Sequence, residues 1–348
     1  MIKKIFNNKK IILGIETSFD DTSASILKGN KILSNIIYSQ KIHTKYNGVV
    51  PNIASNIHLK NIYNVVKKCI FKANIDLNNI NCIAFTKGPG LINSLFIGEN
   101  FAKSLSLSLN KPLIGINHIH GHIFSHFLYK KNNKYPNFPF ICLSMSGGHT
   151  KIIIVYNFLK FKTIGDTLDD TLGNLFDKFS NYLGLKYPNG PSIMEKYIKN
   201  GNNIFKFPIP NVKNLNFSFS GLKTYLKNFI NKNINLDKNF IKKNINNLCK
   251  SFHITIYKIL LYKINKVIKL TKIKNIVFSG GVANNLFLKK KFINNFKKKK
   301  YKLYIINNKK LNKDNAAIIG LMGQIKYYYK LYDNFKIKSK SNISLNEL

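Results

Sequence analysis

Apolar residues fall into short blocks along the first third of the chain. "KIILGIETS" reads as a buried strand ending in a polar turn, and "DTSASILKGNKILSNIIYS" as two alternating strands joined at "KGNK". A helical period takes over in "NIHLKNIYNVVKKCIFKANI". "CIAFTKG" follows as another buried strand running into a Gly88-Pro89-Gly90 turn, and "SLFIGENFAKSLSLSL" resumes a helix. After "INHIHGHIFSHF" comes the Pro- and Asn-rich "NNKYPNFPF", which reads as a junction. The pattern then restarts. "FICLSMSGGHTKIIIVYNFLKFKTIGD" is strand, glycine turn, strand, strand; helices and short loops fill residues 171–270; "IKNIVFSGGVANNLFLKKKF" is strand, double glycine and helix. "YKLYIIN" adds a strand before a last helix near residues 315–330. Two halves that open alike predict a duplicated α/β protein with a cleft between two lobes, although no sequence repeat is visible. The expected lobes are residues 1–134 and 135–330, with the last helix packing back on the first lobe and 331–348 as a C-terminal tail.

With 348 residues, 45% of them apolar, the chain has enough material for two packed cores, so disorder is not the default. The net charge of +42 points toward a polyanionic partner. All 56 basic residues are lysine, however, and asparagine and isoleucine are abundant throughout, as coding bias in a genome would produce. A positive field attracts RNA whatever its origin, but lysine binds phosphate as a point charge without arginine's fork. Cys69, Cys82, Cys142 and Cys249 form no C-x-x-C pair, so reduced thiols are expected rather than a zinc knuckle or disulfide framework. The run from Ile11 to Ile15 is too short for a signal peptide, and no segment has the length of an apolar span. A cytoplasmic protein without membrane association is the expectation.

Four of the eight histidines lie in "INHIHGHIFSHF". On a helix, His118 and His122 share a face, as do His122 and His126, while His120 points elsewhere. Two imidazoles at that spacing can share a divalent ion. The zinc-protease helix H-E-x-x-H needs a glutamate after its first histidine as general base, and here that residue is Ile119. Any metal must therefore do something else.

Glycines and acidic residues at strand ends are how such lobes hold phosphate, because glycine lets backbone N–H groups approach the anion. "GIETSFDDTS" offers Glu16, Asp20 and Asp21; "SMSGGHT" offers Ser146, Gly147, Gly148 and Thr150; "FSGGVANN" offers Gly280, Gly281, Asn284 and Asn285. "GDTLDDTLGNLFDK" concentrates four of the 14 acidic residues, Asp166, Asp169, Asp170 and Asp177, and reads as a polar wall of a site.

These segments, with "GVVPNIAS", "TKGPGLINSLFIG", "NHIHGH", "YPNGP", "NFSFSGLKT" and "DNAAIIG", resemble in order and over nearly the whole chain the tRNA N6-adenosine threonylcarbamoyltransferase family of TsaD type, once described as glycoproteases on the strength of the histidine pair. The resemblance implies an α/β fold with two ribonuclease-H-like lobes of the actin, Hsp70 and sugar-kinase superfold. It implies transfer of a threonylcarbamoyl group from threonylcarbamoyl-AMP to N6 of adenosine 37 in tRNAs reading codons that begin with A, forming t6A. Its metal ligands fall on His118, His122 and Asp314, holding one divalent ion per subunit, iron(II) first and zinc as the alternative. Its substrate-contacting positions fall on Ser144, Met145, Ser146, Gly147, Gly148, Asp177, Gly190 and Asn285. It further implies a companion subunit of the same superfold and a small P-loop ATPase.

For the reaction so implied, either Asp20 or Asp21 is a candidate to take the proton of the adenine amine. Against the family's usual pattern, Phe19 replaces cysteine, Asp21 replaces a glutamate, Asp166 and Asn174 replace the first and second glutamates of the acidic segment, and Ala316 replaces glycine. The rival readings are a metalloprotease, which lacks its glutamate, and a superfold kinase or ATPase, which has no use for the histidine pair.

Overall fold

The computed structural model describes residues 2–7, 9–46, 48–128, 135–185, 188–306 and 308–347. Residues 132–134 of the expected junction, Tyr187 of "YPNGP" and Asn307 of "YKLYIIN" lie outside them. The chain divides into two compact units, Met1–Tyr135 with Asn308–Leu348, and Pro136–Asn307.

The first unit is built on strands β1 (Ile11–Glu16), β2 (Asp21–Lys28), β3 (Lys31–Ser39), β4 (Cys82–Gly88) and β5 (Leu113–Asn117), in the order β3-β2-β1-β4-β5. β1, β2 and β3 form an antiparallel meander, whereas β4 and β5 join in parallel. The meander follows from the alternating pattern and its Gly29 turn, where φ is 61°. β4 and β5 are buried along their whole length, as parallel strands covered on both faces are, and neither alternates apolar with polar residues. Helices Pro51–Ala73 and Ile92–Leu109 contribute Ile62, Val65, Val66, Cys69 and Ala102 to a core shared with Leu13, Ile15, Ile83 and Phe85 of the sheet. Both helices end at an asparagine in the left-handed region, Asn74 and Asn110.

The second unit repeats this plan. Strands β6 (Phe140–Met145), β7 (Thr150–Val155), β8 (Phe161–Asp166), β9 (Asn275–Ser279) and β10 (Lys302–Ile305) have the order β8-β7-β6-β9-β10, so each sheet places its strands third, second, first, fourth, fifth. The duplication lies in topology, where the sequence shows no repeat. Its core is phenylalanine-rich: Phe179 stacks on Phe252 at 4.4 Å and Phe292 meets Phe278 edge-on at 4.9 Å.

The chain returns to the first unit with helix Ala316–Tyr328, buried continuously from Ala316 to Lys326. Its small residues let it lie close against β1 and β4. A Cβ on Gly14 would come within 2.5 Å of the Ala316 carbonyl, and one on Gly323 within 2.6 Å of Ala84 Cβ. Ala316 is fully buried and donates its N–H to Ser23 Oγ at 2.9 Å. All four cysteines are buried and free. Among the described residues, no helix is long and apolar enough to cross a membrane.

Gly14→Ala should force this helix away from β1. The expected loss is about 1–3 kcal/mol, the usual cost of overpacking a filled core, read by urea unfolding. Unchanged stability would contradict the close approach.

Candidate metal centre and strand-end turns

In the first unit the chemistry-bearing residues gather at the carboxyl ends of parallel strands, where open α/β sheets place ligands. β1 ends at Glu16 and β5 at Asn117. Asn117 caps the next helix, His118–Phe124, by accepting the Ile119 N–H at 3.0 Å. This short helix realises the expected spacing. His118 Nε2 and His122 Nε2 lie 3.0 Å apart. Asp314, just before the Asn315 cap of helix Ala316–Tyr328, completes a triangle: its Oδ1 is 3.3 Å from His118 Nε2 and 3.1 Å from His122 Nε2.

The triangle fits one ion. Bonds of about 2.1 Å at angles between octahedral and tetrahedral span ligand separations of about 3.0–3.4 Å, and the three observed edges fall within that range. Among the described residues, these three form the group of histidine, cysteine and acidic side chains able to hold a metal. Protonation favours the role in part. Burial is the main influence lowering the pKa of His122, keeping it neutral as a ligand requires. Burial opposes the charge on Asp314, but the His118 charge and hydrogen bonds from both imidazoles hold its carboxyl well below the usual range. For His118, burial is outweighed by Glu16 and Asp314, which hold its pKa well above the ordinary value. A metal ion therefore has to displace a proton there.

Glu16 stands behind His118. Its Oε2 is 2.9 Å from His118 Nδ1 and accepts from Thr86 Oγ1 at 2.6 Å, while its Oε1 accepts the Ser18 N–H at 2.5 Å. A carboxylate on Nδ1 leaves Nε2 for the metal and fixes the ring. The sequence pattern presented Glu16 among acidic residues of a turn without this role. His120 and His126, which match no family ligand, stand apart from the triangle; His120 Nε2 bonds the Leu345 carbonyl at 2.7 Å.

Asp20 lies in the β1–β2 turn and Asp21 opens β2, both half-buried. Burial, then the Asp21 and Asp314 charges, push the Asp20 carboxyl up to about 7. Burial likewise pushes Asp21 to about 6, against a hydrogen bond from Ser39.

In the second unit the corresponding strand ends carry the glycine turns. Ser144 and Met145 close β6, and Ser146, Gly147 and Gly148 turn the chain. A residue not singled out from the sequence, His149, holds this turn: its Nε2 is 2.7 Å from Ser144 Oγ and its Nδ1 is 2.8 Å from Ser146 Oγ. Ser146 Oγ also accepts the N–H groups of Gly148 and His149, both at 3.2 Å. Cβ positions on Gly147 and Gly148 face open space, whereas one on Gly280, at φ +85°, would sit 2.2 Å from the Met145 carbonyl. The second glycine turn thus packs directly under the first.

Helix Leu172–Tyr182 begins against the same turn, Gly173 N donating to the Ser146 carbonyl at 3.2 Å. Asp177 lies on it, half-buried and pushed up to about 6 by burial. Gly190 packs on that helix, since a Cβ there would be 2.2 Å from Ser180 Oγ. Asn285 caps helix Leu286–Lys298 through Leu288 N, and its Nδ2 is 3.0 Å from His253 Nε2, another partner the sequence did not suggest.

The remaining acidic residues of "GDTLDDTLGNLFDK" have local partners. Asp169 accepts from Ser218 Oγ at 2.5 Å and from the Phe219 N–H at 2.8 Å, Asp170 pairs with Lys223 and accepts from Asn174 Nδ2 at 2.8 Å, and Asp166 pairs with Lys151. These bonds secure the start of helix Ser220–Leu236 and the edge of β7–β8. Asn174 serves as a donor to Asp170, a role its amide can fill.

The family model for TsaD, tRNA N6-adenosine threonylcarbamoyltransferase, matches residues 31–321. The chain belongs to this family. Proteins named tRNA N6-adenosine threonylcarbamoyltransferase from Christiangramia forsetii and Riemerella anatipestifer are 44% and 43% identical to it, over 95% and 97% of this chain and 97% and 99% of theirs. The Thermosipho melanesiensis protein of the same name is 45% identical over 96% of this chain and 100% of its own. Among solved structures, HypF from T. kodakarensis has a TM-score of 0.60 at 12% identity, covering 93% of this chain and 48% of that one. An activator of 2-hydroxyisocaproyl-CoA dehydratase from Clostridium difficile has a TM-score of 0.52 at 12% identity, covering 93% and 98%. These two likenesses concern the fold, which is the expected α/β superfold with two five-stranded mixed sheets.

Because His118 must lose a proton to bind an ion, zinc affinity should rise with pH, with about one proton released per ion. Glu16→Gln should weaken it about 10-fold or more by removing the charge behind His118. Calorimetry in buffers of different ionisation enthalpy measures both; pH-independent binding, or native affinity in the variant, would contradict the arrangement.

Proposed function

We propose that this chain transfers a threonylcarbamoyl group from threonylcarbamoyl-AMP to N6 of adenosine 37 in tRNAs reading codons that begin with A, forming t6A. The observation that carries the reading is a family match over nearly the whole chain in a chain that keeps His118, His122 and Asp314 as a compact triangle.

The donor is a mixed carbamic-phosphoric anhydride, and the adenine amine is a poor nucleophile because its lone pair is delocalised into the ring. A divalent ion held by His118, His122 and Asp314, iron(II) first and zinc second, would supply Lewis acidity toward a donor oxygen. The protein's own groups do the rest. Glu16 fixes the His118 ring. Asp20 takes the amine proton, since a carboxyl at about 7 is matched to neutral pH, whereas Asp21 is hydrogen-bonded to Ser39. Ser144 and Met145 at the end of β6 and the turn Ser146 to Gly148 receive the donor's anionic oxygens, on the turn's open glycines. Asp177, Gly190 and Asn285 line the donor's other groups; Asn285 retains an N–H beyond its bond to His253.

The adenosine has to be unstacked from its loop, and single-stranded loops are where RNA is most accessible. The lysine-derived charge of +42 holds the tRNA without reading its bases. A companion subunit of the same superfold and a small P-loop ATPase complete turnover in the cytoplasm. Ile119, in place of the glutamate that a zinc-protease helix requires, weighs against peptide cleavage.

The test supplies threonylcarbamoyl-AMP and tRNA to the metal-loaded chain together with its companion proteins. t6A should appear in cognate tRNA and disappear when adenosine 37 is replaced, and binding should weaken with salt by roughly 0.7–0.9 log units per phosphate neutralised. Equal modification of unrelated RNAs would overturn the reading. As a proton acceptor Asp20 must be ionised, so the rate should rise with pH through about 7. Asp20→Asn should remove that limb and lower the rate about 100-fold or more; an unchanged pH profile would exclude Asp20.

Asp177→Ala should weaken binding of an AMP-containing donor analogue more than binding of tRNA. Calorimetry with each ligand checks this, and an unchanged analogue affinity would remove Asp177 from the site.

A further inference from the structure

Residues expected to form a plain tail are bonded into the first unit. Asp333 N donates to the Leu113 carbonyl at 2.9 Å and Asp333 Oδ2 accepts the Gly115 N–H at 2.8 Å, so the segment begins alongside β5. Ser339 N donates to Glu99 Oε2 at 2.6 Å, and Lys340 N to the Lys87 carbonyl at 2.9 Å. The Ser341 carbonyl accepts the Gly90 N–H at 3.1 Å, which ties the segment to the glycine turn after β4.

It ends on the helix that carries two corners of the triangle. Asn117 caps that helix with its Oδ1, and its Nδ2 donates to the Ser344 carbonyl at 3.1 Å. His120, fully buried between His118 and His122 in sequence, meets the Leu345 carbonyl through Nε2 at 2.7 Å. A carbonyl only accepts, so His120 must carry its proton on Nε2. That nitrogen is committed to the segment and is unavailable to a metal. Leu345 is itself buried, at 6% exposure, which anchors the bond.

We propose that residues 339–345 form a strap that holds the helix His118–Phe124 in place for metal binding, with His120 as the positioning residue that joins the two. The inference rests on the metal reading of the triangle. A helix of seven residues has little stability of its own, and a ligand pair must be held closely to bind an ion at full affinity. The strap supplies a second anchorage, at the cap and at the middle of the helix. Coupling of this kind is reciprocal: if a seated strap favours the ion, the ion must favour the seated strap.

The test uses full-length variants with zinc alone as the probe, in competition with a chelator. His120→Leu keeps the apolar volume and loses the donor; His120→Gln keeps a donor; Leu345→Asp unseats the strap from the other side. Zinc should bind about 10-fold more weakly or worse in His120→Leu and Leu345→Asp, and His120→Gln should recover most of the loss. Zinc should also slow hydrogen exchange at the amides of Ser339, Lys340 and Gly90 in the native chain, an effect a generally destabilised fold would not produce. Native zinc affinity in both His120→Leu and Leu345→Asp, or exchange at those amides indifferent to zinc, overturns the strap alone. A native chain that takes up no zinc overturns the metal centre as well.

Discussion

Helix Ala316–Tyr328 lies against β1 and β4 at a distance only small residues allow, and the candidate metal centre depends on it. Gly14 on the strand and Gly323 on the helix remove the side chains that would hold the two apart. Asp314 precedes this helix by two residues, separated in sequence from His122 by 192 positions. Without the close approach, the carboxylate would not stand 3.1 Å from His122 Nε2. The same contact recruits the end of the chain into the first unit.

The centre is then tuned by burial and by charge. His122 is kept neutral chiefly by burial, while Glu16 and Asp314 stabilise a charged His118 in the free protein. In the second unit the polar work is done by neutral groups. His149 bridges two serine hydroxyls and Gly280 packs beneath them, which shapes a turn whose glycines face open space. The strand ends of the two units therefore offer different chemistry, ligands for a cation in one and a turn suited to an anion in the other.

Much of this was legible where local pattern decides structure. "CIAFTKG" coincides with β4, and the histidine pair lies on a helix face as its spacing predicts. β5 was not recognised, because "LIGIN" is a short apolar run with no alternation to mark it as a strand. The helix Ile2–Asn7 carries no recognisable start or stop signal either. Asp314 as a third ligand came only from the family resemblance, since nothing local couples it to residues so far away in sequence. The partners of the acidic segment are not legible for the same reason: Asp169 and Asp170 bond Ser218, Phe219 and Lys223, about fifty residues downstream. Residues 331–348 are expected from the sequence as a plain tail, and most of the bonds that anchor them run through backbone groups, which composition does not report.

Binding of one ion by His118, His122 and Asp314 together is what gives the first unit its chemistry. X-ray absorption on the zinc-loaded chain measures this directly. One zinc per chain is expected, with two imidazole nitrogens at about 2.0–2.1 Å and protein or solvent oxygens at about 2.0–2.2 Å, and a weakened imidazole signal in His118→Ala. Sulfur in the coordination shell, or an imidazole signal that survives the loss of His118 unchanged, would contradict it.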